Sequence, residues 1–98
     1  MSELFIVVGL KAKEGKEDEL RRDLASLVEP SRKEDGNIRY DLFEDRDTPG
    51  HFVFVEEWAS TEARDRHHAH GPHIVRFHEN GVGNVEKTEF ARILRRVA

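Results

Sequence analysis

Residues 4–12 read Leu-Phe-Ile-Val-Val-Gly-Leu-Lys-Ala, a run with no polar face. As a strand it sends Leu4, Ile6, Val8 and Leu10 to one side and Phe5, Val7 and Gly9 to the other. Such a strand needs cover on both faces. A chain of 98 residues, 37% hydrophobic and 37% charged, has little material to supply that cover twice. It holds one domain, spanning 1–98, with a thin core, and a deep ligand cavity inside a single copy would use much of it.

The same composition removes several classes. With no cysteine, disulfide scaffolds, thiolate metal sites, Fe–S clusters and cysteine nucleophiles are excluded. No apolar run approaches the ~20 residues of a membrane span. The start, Met1-Ser2-Glu3, lacks the basic and apolar regions of a secretory signal, so a cytoplasmic location is expected. Sixteen Lys and Arg against 20 Asp and Glu give a net charge of −4. The only dense basic cluster is Arg92, Arg95 and Arg96, which argues against nucleic acid as a partner.

After Glu14-Gly15, a helix is predicted over about 16–34. Leu20, Leu24, Leu27 and Val28 form its apolar stripe, and Pro30 is expected to kink or tighten its last turns. Asp35-Gly36 supplies a turn. Two strands follow as a hairpin around Asp45–Gly50. In the first, Ile38, Tyr40 and Leu42 alternate with Arg39, Asp41 and Phe43. In the second, Phe52, Phe54, Glu56 and Trp58 alternate with Val53, Val55 and Glu57. Ser60 or Thr61 can cap a helix over 61–70, which Gly71-Pro72 stops. A short helical piece over 73–79 and a strand over 86–96 complete the chain. In that strand Thr88, Phe90, Arg92 and Leu94 alternate with Glu89, Ala91 and Ile93.

The order is β-α-β-β-α-β, the ferredoxin-like α+β pattern: an antiparallel sheet with helices on one face. The other face carries Phe5, Val7, Phe43, Val53 and Val55, and no segment remains to cover it. A second copy packed sheet to sheet is the expected partner.

The stretch from Asp35-Gly36 through Tyr40, then Glu56 and Trp58, then His67, Pro72 and His73 resembles the antibiotic biosynthesis monooxygenase family. The resemblance covers essentially the whole chain and implies a dimeric α+β barrel. It also implies a range of activities: cofactor-free oxidation of polyphenols and quinols, haem degradation, or reactions on a phosphorylated sugar. Val8 matches a strand position where haem-degrading and some polyketide-oxidising members carry a functional asparagine. Valine cannot hydrogen-bond a haem-bound oxygen, so haem degradation is disfavoured. The segment leading to Pro72-His73 is one residue longer than usual, which leaves the alignment of His68 and His70 open.

On this resemblance the expected activity is a cofactor-independent monooxygenase acting on a small aromatic quinol or polyphenol. It must hold its substrate in an apolar pocket, deprotonate it and stabilise the anion. A histidine suits the base; His73 is the first candidate and His67 the second, the competing reading for each being an exposed or capping histidine. Glu56 falls between Phe54 and Trp58 on the buried face, where a carboxylate must be paired or shifted. It is either a structural partner or the group that orients a catalytic histidine. Val8, Tyr40, Phe54, Trp58, Ile74 and Phe77 are the expected pocket wall, with core packing as the competing role. No metal is expected among His67, His68, His70, His73 and His78, because Gly71-Pro72 interrupts them and no neighbouring carboxylate completes a ligand spacing. Two further readings stand beside the oxygenase. One is an isomerase of a small, possibly phosphorylated hydroxy-ketone, which needs Arg39, Arg64, Arg66 or Arg76 in the pocket. The other is a non-enzymatic dimeric ligand-binding domain.

Overall fold

A computed structural model describes residues 3–98. Its elements are β1 (Leu4–Ala12), α1 (Glu17–Ala25), α2 (Val28–Arg32), β2 (Asn37–Glu44), β3 (His51–Trp58), α3 (Thr61–His70), α4 (Pro72–Asn80), a 3₁₀ turn (Val82–Asn84) and β4 (Val85–Leu94). The strands form one sheet in the order β2-β3-β1-β4, and all neighbours are antiparallel. This is the ferredoxin-like α+β arrangement, with the two-sided apolar strand β1 inside the sheet as its composition requires.

The predicted helix over 16–34 is two helices. Pro30 has no N–H to give the Ser26 carbonyl, and its ring crowds that carbonyl. The chain therefore tightens a turn early: Leu27 N–H donates to Leu24 O at 3.1 Å, and Ser26 Oγ donates to Asp23 O at 2.6 Å. Leu20, Leu24 and Leu27 stay on the buried side despite the break. Arg21 ties α1 to the hairpin through two bonds to Glu44, 2.8 and 2.7 Å long, and Glu44 also accepts the Gly50 N–H. These bonds hold the Glu44 carboxyl down at about 2.

Two strand expectations change at bulges. On β2, Asn37 pairs with Trp58 and Arg39 with Glu57, so Ile38 is the extra residue. It is 53% exposed and does not join Tyr40 and Leu42 on the helix side. On β4, Phe90 pairs with Gly9 but Thr88 pairs with Leu10, which makes Glu89 the extra residue. Thr88 thereby leaves the face of Phe90 and joins Ala91 on the helix side.

The helices cover one face, where Ile6, Tyr40, Phe52, Phe54 and Trp58 meet Leu20, Leu24, Leu27, Ala63 and Ile74. The register puts Phe5, Val7, Val53, Val55 and Phe43 on the opposite face. Phe90 lies over Gly9 there, and the Arg96 guanidinium sits 5.3 Å from the Phe5 ring centroid. Among the described residues no helix covers this face, and Phe43 and Leu94 are 51% and 44% exposed.

Gly36 locks the second half to the first. It has φ of +87°, and a Cβ there would lie 2.5 Å from the Ala63 side chain. Its carbonyl accepts the Ala59 N–H at 2.7 Å. Gly36→Ala combines a left-handed backbone with a clash, and is expected to cost about 1–3 kcal/mol. Urea denaturation checks it as a lower midpoint with an unchanged slope.

Candidate active site

Between the sheet and helices α3 and α4 lies a cavity of about 300 Å3. Val8, Leu10 and Phe54 form its apolar floor, and Ile74 and Phe77 its wall. The bulge brings Thr88 to its rim beside Ala91. The rest of the polar lining is Glu56, Arg64, His67, His68 and His78. It is therefore an apolar slot with polar groups grouped around it, the ordinary make-up of a small-molecule site.

His67 comes from α3, whose first turn is capped by Ser60 Oγ accepting the Ala63 N–H at 3.1 Å. The ring is 4% exposed and packs 4.7 Å from Trp58 and 5.3 Å from Tyr40, centroid to centroid. Its Nδ1 is 2.5 Å from Glu34 Oε1. With Glu34 ionised, Nδ1 carries the proton and donates it, so Nε2 keeps a lone pair. Burial pushes the His67 pKa below the ordinary imidazole value, Glu34 pulls the other way, and Arg64 adds to the lowering. At neutral pH the ring is a neutral base in a defined tautomer.

Glu34 lies in the turn before Asp35-Gly36, and sequence spacing gave no reason to join it to a histidine 33 residues away. His73 Nε2 is 3.3 Å from the same Glu34 oxygen and 3.0 Å from Ser31 Oγ. Ser31 is fully buried. Burial is the main reason the Tyr40 hydroxyl sits well above its ordinary pKa, with Glu56 adding to the shift. Gly71 permits this convergence, since a Cβ there would lie 2.8 Å from His67 O and 3.3 Å from the His73 ring.

The predicted site residues therefore divide. Val8, Phe54, Glu56, His67, Ile74 and Phe77 line the cavity. Tyr40 and Trp58 are buried behind it, packed on His67. His73 faces Ser31, Glu34 and a separate outer groove with Asp23 and Arg76. Of the four arginines, Arg64 lines the cavity.

Glu56 is 7% exposed, and its Oε1 accepts the Trp58 Nε1–H at 2.9 Å. Burial raises its pKa above the ordinary 4.5, while the indole bond and Arg64 offset part of the rise. A carboxyl raised in the folded state contributes stability at acid pH and loses it as pH climbs through the folded pKa. Glu56→Gln keeps an acceptor for the indole and removes the ionisation. It is expected to raise stability at pH 7 by about 1 kcal/mol, ~4–8 °C in Tm for a domain of this size. Melts at pH 7 and pH 4 test this, because the gain should shrink at the lower pH.

Glu34, His67 and His73 each place one ligand atom within 4.8 Å of the others, contrary to the expectation that no carboxylate would complete the histidines. Two histidines and one carboxylate can hold a divalent ion. Bonds of ~2.1 Å to a shared ion would hold ligand atoms roughly 3 Å or more apart. The 2.5 Å approach of His67 to Glu34 fits a hydrogen bond instead.

A family model for antibiotic biosynthesis monooxygenase matches residues 4–80. The Bacillus subtilis (strain 168) protein named "Putative monooxygenase YcnE" is 38% identical over 72 residues, 74% of this chain and 75% of its own. The crystal structure of PA3566 from Pseudomonas aeruginosa superposes with a TM-score of 0.86 at 32% identity, covering 100% of this chain and 97% of that one. Rv0793 from Mycobacterium tuberculosis gives a TM-score of 0.89 at 25% identity, with 99% and 97% covered. The family match spans most of the chain and takes in Val8, Phe54, Glu56, His67, Ile74 and Phe77 of the cavity wall, which settles the relationship: the chain belongs to the antibiotic biosynthesis monooxygenase family.

Proposed function

We propose that this chain is a monooxygenase that oxidises a small quinol- or polyphenol-type substrate with O2 and needs no cofactor. The observation that carries the reading is the apolar cavity of about 300 Å3 with a neutral histidine, His67, held at its wall by Glu34. His67, and not His73, takes the base role, because His67 lines the cavity while His73 is engaged with Ser31 and Glu34.

In the proposed reaction the substrate lies against Val8, Phe54, Ile74 and Phe77, and His67 Nε2 takes its phenolic proton. The electron-rich anion reduces O2 and the two combine as a hydroperoxide. Loss of water then leaves one oxygen atom on the ring, so quinol and O2 give hydroxyquinone and water, with every electron supplied by the substrate. His67 returns its proton to the departing oxygen. Glu56, lining the same cavity, accepts a hydrogen bond from a substrate hydroxyl and orients the ring.

The reading includes a homodimer through Phe5, Val7, Phe43, Val53 and Val55. The exposure of Phe43 and Leu94 on an otherwise half-buried apolar sheet supports it. An open cavity favours an enzyme over a non-enzymatic dimeric ligand-binding domain, since Phe54, Ile74 and Phe77 line the space and do not fill it. Among the described residues no helix is long and apolar enough to cross a membrane. Isomerisation of a hydroxy-ketone is the second reading, favoured by Arg64 at the cavity.

Oxygen uptake with a panel of quinols in chelator-treated buffer separates them. Stoichiometric O2 consumption and an added oxygen atom in the product are expected. Turnover of a hydroxy-ketone without O2 would move the assignment to the isomerase.

A further inference from the structure

The mouth of the cavity carries a charge pattern that the oxidation does not use. Arg64 and His68 are one turn apart on α3 and line the cavity together. His78 of α4 faces them, with its ring 5.9 Å from that of His68. Among the described residues, the one carboxylate within ion-pair reach of these three is Asp65, 3.8 Å from Arg64 and itself 63% exposed. His68 is held below the ordinary imidazole value by partial desolvation and by Arg64, His78 and His67, with Asp65 opposing. Three groups able to carry positive charge thus crowd one rim, with exposed Asp65 beside Arg64 and Glu56 acting on Arg64 from farther inside, an arrangement that an arriving anion relieves.

The interior has the opposite preference. Glu56 sits within it and Glu34 backs His67. A negative group placed inward would meet these carboxylates, whereas a hydroxyl can donate to them. Arg64 offers a planar fork suited to a carboxylate, and one fixed positive charge flanked by two imidazoles suits a monoanion better than a dianion.

We propose that Arg64, His68 and His78 form an anion subsite at the cavity mouth and that the substrate is a small aromatic acid, its hydroxyl inward and its carboxylate outward. The inference rests on reading the cavity as an aromatic-substrate site.

Calorimetric titration of the full chain with 4-hydroxybenzoate, 4-hydroxybenzamide, phenyl phosphate, acetate and inorganic phosphate tests it without turnover. The acid is expected to bind about tenfold tighter than the amide, tighter than phenyl phosphate, and far tighter than the two ring-free anions. Arg64→Met should erase the preference, and Arg64→Lys should keep part of it. Equal affinity for acid and amide would overturn the subsite. So would a preference that survives in both Arg64→Met and a His68→Ala/His78→Ala variant, or no binding by any ring compound. Tightest binding of phenyl phosphate would overturn the carboxylate, and acetate binding as well as 4-hydroxybenzoate would overturn the ring. Acid preference without O2 uptake refutes the oxygenase alone, and O2 uptake without acid preference refutes the subsite alone.

Discussion

Replacing His67 with alanine is expected to lower kcat for the proposed quinol oxidation by ~10²–10⁴-fold, the usual contribution of a positioned general base. The substitution removes the one neutral imidazole that both lines the cavity and has its tautomer set by a carboxylate. Glu34→Gln is the sharper variant. Its amide oxygen can still accept the Nδ1 proton, so the ring keeps its place, but the negative charge that supports His67 basicity is gone. A smaller loss is expected, about 10–100-fold.

The pH profile distinguishes positioning from packing. As the proposed base His67 acts when neutral, and burial sets its pKa below the ordinary 6.5. The acid limb of kcat/KM therefore lies below pH 6.5 in the native chain. It should move to still lower pH in Glu34→Gln, where the raising influence has been removed. His73→Ala should lower activity less than His67→Ala, because His73 acts only through Glu34 and Ser31.

Trp58→Ala is expected to have the largest effect on stability. The indole is fully buried, and it packs on His67 and Tyr40 at 4.7 and 6.4 Å. Truncating a buried aromatic costs about 3–5 kcal/mol, and leaving the Glu56 oxygen without its indole donor adds about 1–3 kcal/mol. Against a total of ~5–15 kcal/mol, the alanine variant should be largely unfolded in mild denaturant. Trp58→Phe keeps most of the packing and loses the hydrogen bond. It should fold cooperatively with a deficit of about 1–2 kcal/mol. Urea titrations of both variants measure the difference, and a Trp58→Ala midpoint close to the native one would contradict the role given to this side chain.

The strands and the helix over 61–70 were legible because alternation, helix caps and Gly-Pro breaks are local signals. Val8, Phe54, Glu56, His67, Ile74 and Phe77 followed as cavity residues once the helix-facing side of the sheet was known. Bulges were not legible. Ile38 and Thr88 changed sides because each bulge is set by pairing with a distant strand, which no window of sequence contains. The helix break came a turn before Pro30 because the missing N–H acts on the carbonyl four residues back.

Glu34 was missed for a related reason. It reaches His67 and His73 only after α2, α3 and α4 have packed, and its place beside Asp35-Gly36 reads as an ordinary polar turn. A fully buried Ser31 three residues earlier is the structural trace of the same network. The thin core expected from composition is thus a partial one. It is well packed around Trp58 and Leu24, open beside Phe77, and bare on the face of Phe43.

In the proposed reaction Glu34 holds His67 as a neutral base with Nδ1 protonated and Nε2 free. Long-range ¹H–¹⁵N correlation of the histidine rings at pH 7 reads this state directly. A protonated Nδ1 and a bare Nε2 are expected for His67, with a titration midpoint below 6.5. An imidazolium at pH 7, or a proton on Nε2, would contradict it.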